Sequence, residues 1–133
     1  MNQPVRTSSV APPAAAYELA MTVPAASQLL FTAGIVGTRP DGSIATDVGE
    51  QATEVWRSIG NLLTAAGYEP ADVVSYTTYT VVGHDMSEVM AARDRFFGGH
   101  RAASTLVTVP ALARAEWKVE VAVIAAKRLR AVP

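Results

Sequence analysis

The stretch Trp117-Lys118-Val119-Glu120-Val121-Ala122-Val123-Ile124 decides how this chain folds. Side chains alternate across a strand, so Val119, Val121 and Val123 share one face, and Lys118, Glu120, Ala122 and Ile124 share the other. The β-branched residues suit a pleated surface, and the strand reads from Trp117 to about Lys127. Its second face is half apolar too. Helices of the same chain can cover one face, so the other calls for a second copy and predicts a homo-oligomer.

Working back from that strand, Ser104 to Val109 and Val73 to Val82 predict two more, both rich in valine and threonine. Between them Glu88 to Phe97 predicts a helix with Val89, Met90, Phe96 and Phe97 as its apolar set. Asp85 or Ser87 can cap it and Gly98-Gly99 can stop it. Further back, Val48, Ala52, Val55, Trp56, Ile59, Leu62, Leu63 and Ala66 recur at three- and four-residue steps, which predicts a helix of about five turns. Asp47 can cap it and Gly67 can close it. Arg39-Pro40-Asp41-Gly42 reads as a turn. Tyr17 to Val23 and Gln28 to Gly37 predict an opening antiparallel pair. Residues 1–14, rich in Pro, Ala and Ser, are expected to form a flexible tail, and 15–130 a single domain. The resulting order, ββαβαββ, is an α/β (α+β) arrangement with a sheet packed on two helices.

Composition narrows the function. A chain of 133 residues, 50% hydrophobic and 17% charged, suits one compact domain. The formal net charge of −1, with its one basic cluster at Lys127, Arg128 and Arg130, argues against a nucleic-acid partner. The absence of cysteine excludes disulfides and thiolate chemistry and fits a cytoplasmic protein. No run approaches the roughly 20 apolar residues of a membrane helix, and no signal-peptide-like run follows Arg6, so no membrane association is expected. His84 and His100 lack companions at metal-ligand spacing, and neither a phosphate-binding glycine loop nor a nucleophile elbow is present. No metal and no cofactor are expected.

Five segments in order and in register resemble the Rid/YjgF superfamily, the reactive-intermediate deaminases of the RidA family. They are Leu30-Phe31-Thr32-Ala33-Gly34, the Gln51 to Leu63 helix, Ala65-Ala66-Gly67 before Asp72-Val73-Val74, Arg95-Phe96-Phe97-Gly98, and Lys118-Val119-Glu120-Val121. The resemblance spans residues 17 to about 128. It implies a chorismate-mutase-like fold, a homotrimer with a central sheet barrel, and small-molecule clefts between neighbouring subunits.

The same resemblance assigns candidate residues. Active members clamp the substrate carboxylate with an arginine at the start of the penultimate strand, a bidentate pair that only arginine forms well. Ser104 stands there, or Ala103 after a one-residue shift, so the resemblance implies a subgroup lacking the clamp. Arg101 lies three residues earlier, about 10 Å of extended chain, and would reach the cleft only if its loop folds back. Glu120 falls on the glutamate thought to orient the hydrolytic water. Among valines it is either a structural partner of a neighbouring group or a working acid/base. Tyr17 matches an aromatic bordering the cleft or is a first-strand packing residue, and Gly34 matches a glycine that brings backbone close to ligand or marks a bulge. Met90 stands where active members often carry asparagine, giving the cleft a more apolar wall or simply packing in the core, and Arg93 either supplies a cation or pairs with Asp94 on the surface. Trp117 is a lid or an edge anchor, and the Ser104 and Thr105 hydroxyls could polarise a substrate.

The function expected is a hydrolase, deaminase-like or lyase-like, that adds or removes water at a small imine, enamine or related carbonyl compound. Glu120 would act as general base, and classical 2-imino acid deaminase activity would be slight. A non-catalytic small-molecule-binding trimer is the alternative. Endoribonuclease activity is disfavoured by the charge.

Overall fold

The computed structural model describes residues 1–129. Arg130, which belongs to the C-terminal basic cluster and ends the expected domain, lies outside the described residues. In chain order the elements are β1 (Gln3–Pro4), β2 (Met21–Thr22), β3 (Ser27–Phe31), β4 (Ile35–Val36), α1 (Val48–Ala65), β5 (Val73–Val81), α2 (Met86–Phe97), β6 (Ala103–Val109) and β7 (Val119–Arg128). From α1 onward the order matches the expectation.

Helix α1 starts where Asp47 accepts a hydrogen bond from the Glu50 amide at 2.9 Å, and ends at Gly67, whose φ of 83° suits only a residue without Cβ. Val55, Ile59 and Leu63 are fully buried. Leu62, expected in the same stripe, is 44% exposed, because the buried face runs through residues 52, 55, 59 and 63 and leaves it a 100° step to the side. Gln51 is buried instead, and its amide is satisfied. It donates to Ala45 O at 2.7 Å and Glu116 O at 2.9 Å, and accepts from the Lys118 amide at 2.9 Å. Asp85 caps α2 through the Ser87 amide at 2.9 Å.

The main sheet runs β3-β7-β5-β6, with β4 also on β7. All pairings are antiparallel except β5 with β6, the pair that α2 connects, as a parallel neighbour requires. Both helices contribute to one core with Val119, Val121, Val123 and Ala125 of β7, so they lie on the same sheet face. An aromatic cluster of Trp56, Tyr76, Phe96 and Phe97 joins them, with Trp56 and Phe96 stacked at 4.8 Å. The opposite face is open. There Glu120, Ala122 and Ile124 are half-buried, Val107 is 39% exposed and Phe31 67% exposed.

One expectation at the N-terminus is corrected. Tyr17 to Val23 does not pair with Gln28 to Gly37: β3 pairs with β7, Phe31 opposite Ile124, and β2 pairs with β1. The Pro24 to Ser27 turn, with Ala26 at φ 63°, delivers β3 to the edge of β7, whose backbone groups need a partner. Residues 2–4 make contacts with the domain. Gln3 lies opposite Thr22, and the Asn2 amide donates to Ala126 O at 3.1 Å and Asp72 O at 3.3 Å.

Candidate functional site

Glu120 projects from the open face of β7, opposite Tyr79 on β5 and Val36 on β4. Gly34, just before β4, passes directly over it. A Cβ at Gly34 would lie 2.7 Å from Glu120 Cδ, so the bare backbone leaves room for the carboxylate. The ion pairs among the described residues are Arg6–Glu18, Arg57–Glu54 and Arg93–Asp94, and Glu120 belongs to none. Lys118, which shares its face, sends Nζ to Ala115 O at 2.8 Å. Glu120 is thus a half-buried carboxylate without a cation, beside an approachable backbone. Thr105, opposite Thr77, shares this face.

Ser104 does not. It pairs in register with Tyr76, whose ring belongs to the core, and therefore faces the helices. Arg93 of α2 is 6% exposed, and its Nε donates to Asp94 Oδ1 at 3.0 Å. The pairing with Asp94 is as expected, but the arginine is buried and not a surface residue. Met90, one turn earlier on α2, is half-buried. Burial is the largest influence on the Tyr76 phenol and raises its pKa, against the opposing pull of Ser104 and Arg93.

Tyr17 lies near the start of β6: the next residue, Glu18, bridges to Ala103 and donates its amide to Ala102 O at 2.9 Å. Its hydroxyl accepts from the Ala14 amide at 3.2 Å. Arg101 is exposed and lines a cavity of about 350 Å³ with Arg6, Pro12, Pro13, Glu18 and Leu19. Glu18 is buried, and hydrogen bonding to Arg6 holds its carboxyl below the usual range, helped by the charge of Arg101. Trp117 precedes β7, and the Arg114 guanidinium sits 5.2 Å from its ring. A groove of about 370 Å³ between the helices, lined by Arg39, Glu50, Glu54, Arg57, Glu88 and Arg95, contains none of the candidates.

The candidates therefore fall on two sides of one sheet. Gly34, Thr105 and Glu120 share the open face, whereas Ser104 faces the helix side, where Met90 and Arg93 belong to α2 and Arg93 lies near Tyr76. Sequence reasoning missed Tyr76 and the Arg6–Glu18 pair. The period-2 run of β5 offered a signal for Tyr76, since an inward tyrosine needs a partner for its hydroxyl. Among the described residues no helix is long and apolar enough to cross a membrane, and no group of three or more His, Asp or Glu side chains is placed to hold a metal ion.

Two helices on one face of a mixed sheet, with a glutamate under a bare glycine on the other, define a small α+β protein of chorismate-mutase-like fold. The family model described as endoribonuclease L-PSP matches residues 8–127. The chain is 30% identical over 104 residues to a 2-iminobutanoate/2-iminopropanoate deaminase of Salmonella typhimurium, covering 75% of this chain and 80% of that one. A Rid-family protein of unknown function, YyfB from Yersinia pestis, superposes with a TM-score of 0.83 at 26% identity, over 93% of this chain and 97% of its own. The YjgF gene product of Escherichia coli shares the fold with a TM-score of 0.70 at 24% identity, over 95% and 99%. This chain belongs to the Rid/YjgF superfamily.

Proposed function

We propose that this protein hydrolyses a small imine or related carbonyl derivative in clefts between subunits of a homotrimer, with Glu120 as the general base. The observation that carries the reading is the Glu120 carboxylate itself, free of any ion pair among the described residues and set beneath the side-chain-free Gly34. A structural glutamate on a sheet face would be held by a cation or a neighbouring backbone amide, and the side-chain hydrogen bonds of the described residues give Glu120 neither. A base needs an open lone pair and room for water.

The chemistry balances without a cofactor. Glu120 takes a proton as the water oxygen attacks the imine carbon, and the C=N π electrons move to nitrogen. Glu120 returns that proton to the nitrogen, and the remaining hydroxyl proton of the carbinolamine follows it as the oxygen forms C=O and the C–N bond breaks, releasing the amine and leaving the carbonyl compound. Ser104 and Arg93 lie on the other side of β6 and would meet this centre only across a subunit boundary, which supports an intersubunit cleft.

Ser104 stands where a carboxylate-clamping arginine is expected, so activity on 2-imino acids should be slight. The formal net charge of −1 gives no field to gather RNA, which disfavours the ribonuclease activity that the family description names. The test supplies the protein with imines generated in place, one bearing a 2-carboxylate and one neutral, and follows carbonyl release. Faster release from the neutral imine is expected. Rapid hydrolysis of 2-iminobutanoate alone would overturn the substrate assignment.

A further inference from the structure

On the helix side of the sheet β6 is incompletely covered: Leu106, opposite Thr78, remains 41% exposed. Arg93 and Phe97, four residues apart on one face of α2, both reach Tyr76, the register neighbour of Ser104 on β6. Phe97 packs on Tyr76 with ring centroids 5.1 Å apart. Burial raises the pKa of the Tyr76 phenol, while Ser104 and Arg93 lie near enough to pull it down without either completing a well-formed hydrogen bond. Tyr76 is 2% exposed, and its hydroxyl has no hydrogen-bond partner among the described residues. Ser104, its register neighbour, is half-buried and can link that hydroxyl to the open strip. A buried, unmatched hydroxyl is a cost that folds rarely keep without a use.

The charge at this place is already balanced. Asp94 Oδ1 takes the Arg93 Nε at 3.0 Å and Nη2 at 2.9 Å, leaving Nη1 outside the pair. The recess therefore offers donors from Arg93, Ser104 and Tyr76 without a net positive charge. A carboxylate entering it would bring a second negative charge beside Asp94, whereas a neutral carbonyl oxygen needs only donors.

We infer that this recess takes an uncharged acceptor, the carbonyl oxygen of an amide or similar group, and that Asp94 is the positioning residue that turns a carboxylate away. The inference rests on the reading that the same cleft handles a small carbonyl or imine compound, and it names which class of compound. Ser104 donates to the bound oxygen while its lone pair receives the Tyr76 proton, completing the bond that the free protein lacks.

The test is calorimetric titration of the intact protein with 2-oxobutanamide and with 2-oxobutanoate. The amide is expected to bind about tenfold more tightly. Asp94→Asn, at a half-exposed position, should tighten the acid about tenfold and close the gap. Tyr76→Phe should weaken the amide several-fold while the melting temperature stays level or rises, a combination that a merely structural tyrosine would not give. Acid binding as tight as amide binding in the native protein, an unchanged ratio in Asp94→Asn, or no saturable amide binding at millimolar concentration overturns the inference. Titration of Glu120→Gln keeps the two ideas apart, since lost turnover with retained amide binding bears on the recess favourably and on Glu120 separately.

Discussion

Gly34 and Glu120 act as one unit at the scale of single residues, because the absent side chain of the first makes space for the carboxylate of the second. In Gly34→Ala the new Cβ falls on that carboxylate, which must swing away. Stability should change little, since Gly34 is exposed and the displaced group is the end of a flexible side chain. Turnover should fall about tenfold or more as the base leaves its position, read by steady-state kinetics beside a thermal melt. Glu120→Gln keeps the shape and removes the base. Turnover is expected to drop about 100-fold or more with the melting temperature and oligomer retained, the usual scale for a lost general base. A melting temperature that falls together with activity would make Glu120 structural, and unchanged turnover in a folded variant would favour a binding protein.

At the scale of elements, α1 is the scaffold on which β7 rests. Ile59→Ala, at a fully buried position, should cost about 3 kcal/mol by urea denaturation. The N-terminal segment is held by a charge. Arg6 depresses the Glu18 carboxyl below its unfolded value, so the stability from this pair is present above the ordinary carboxylate range and is lost as pH falls through the depressed value. The stability gap between native protein and Arg6→Ala should therefore be open at neutral pH and shrink below about pH 4 in parallel denaturation curves. The two-residue alternation of β7 and the helical stripe of α1 were legible, because each is a local period backed by burial, and β5 was legible from its valine, threonine and tyrosine content. The partner of β3 was not, because Phe31 pairs with Ile124 far along the chain, where adjacency in sequence says nothing. Proline-rich composition hid β1, whose pairing depends on Met21–Thr22 needing an edge. The position of Glu120 followed from strand parity. The burial of Arg93 did not, because it arises from how α2 lies against Tyr76, a tertiary fact with no local pattern.

At the scale of the molecule, the open face of the sheet is the feature that organises the rest. Phe31 at 67% exposure, Val107 and Ile124 present apolar surface that a lone chain would leave to water, and Glu120 stands among them. The proposed cleft needs a second chain, since Glu120 and the Arg93–Ser104 recess lie on opposite sides of one sheet and no single copy can turn both toward one ligand. A cyclic trimer closes three such faces around one axis and forms three equivalent clefts. An acidic substitution at the centre of that face, Ile124→Asp, is expected to dissociate the assembly and abolish turnover together, because it removes the partner that completes the site. The most direct measurement of the central claim is light scattering on the native protein at micromolar concentration. A single species of three times the chain mass is expected. A monodisperse monomer would contradict both the trimer and the intersubunit site built on it.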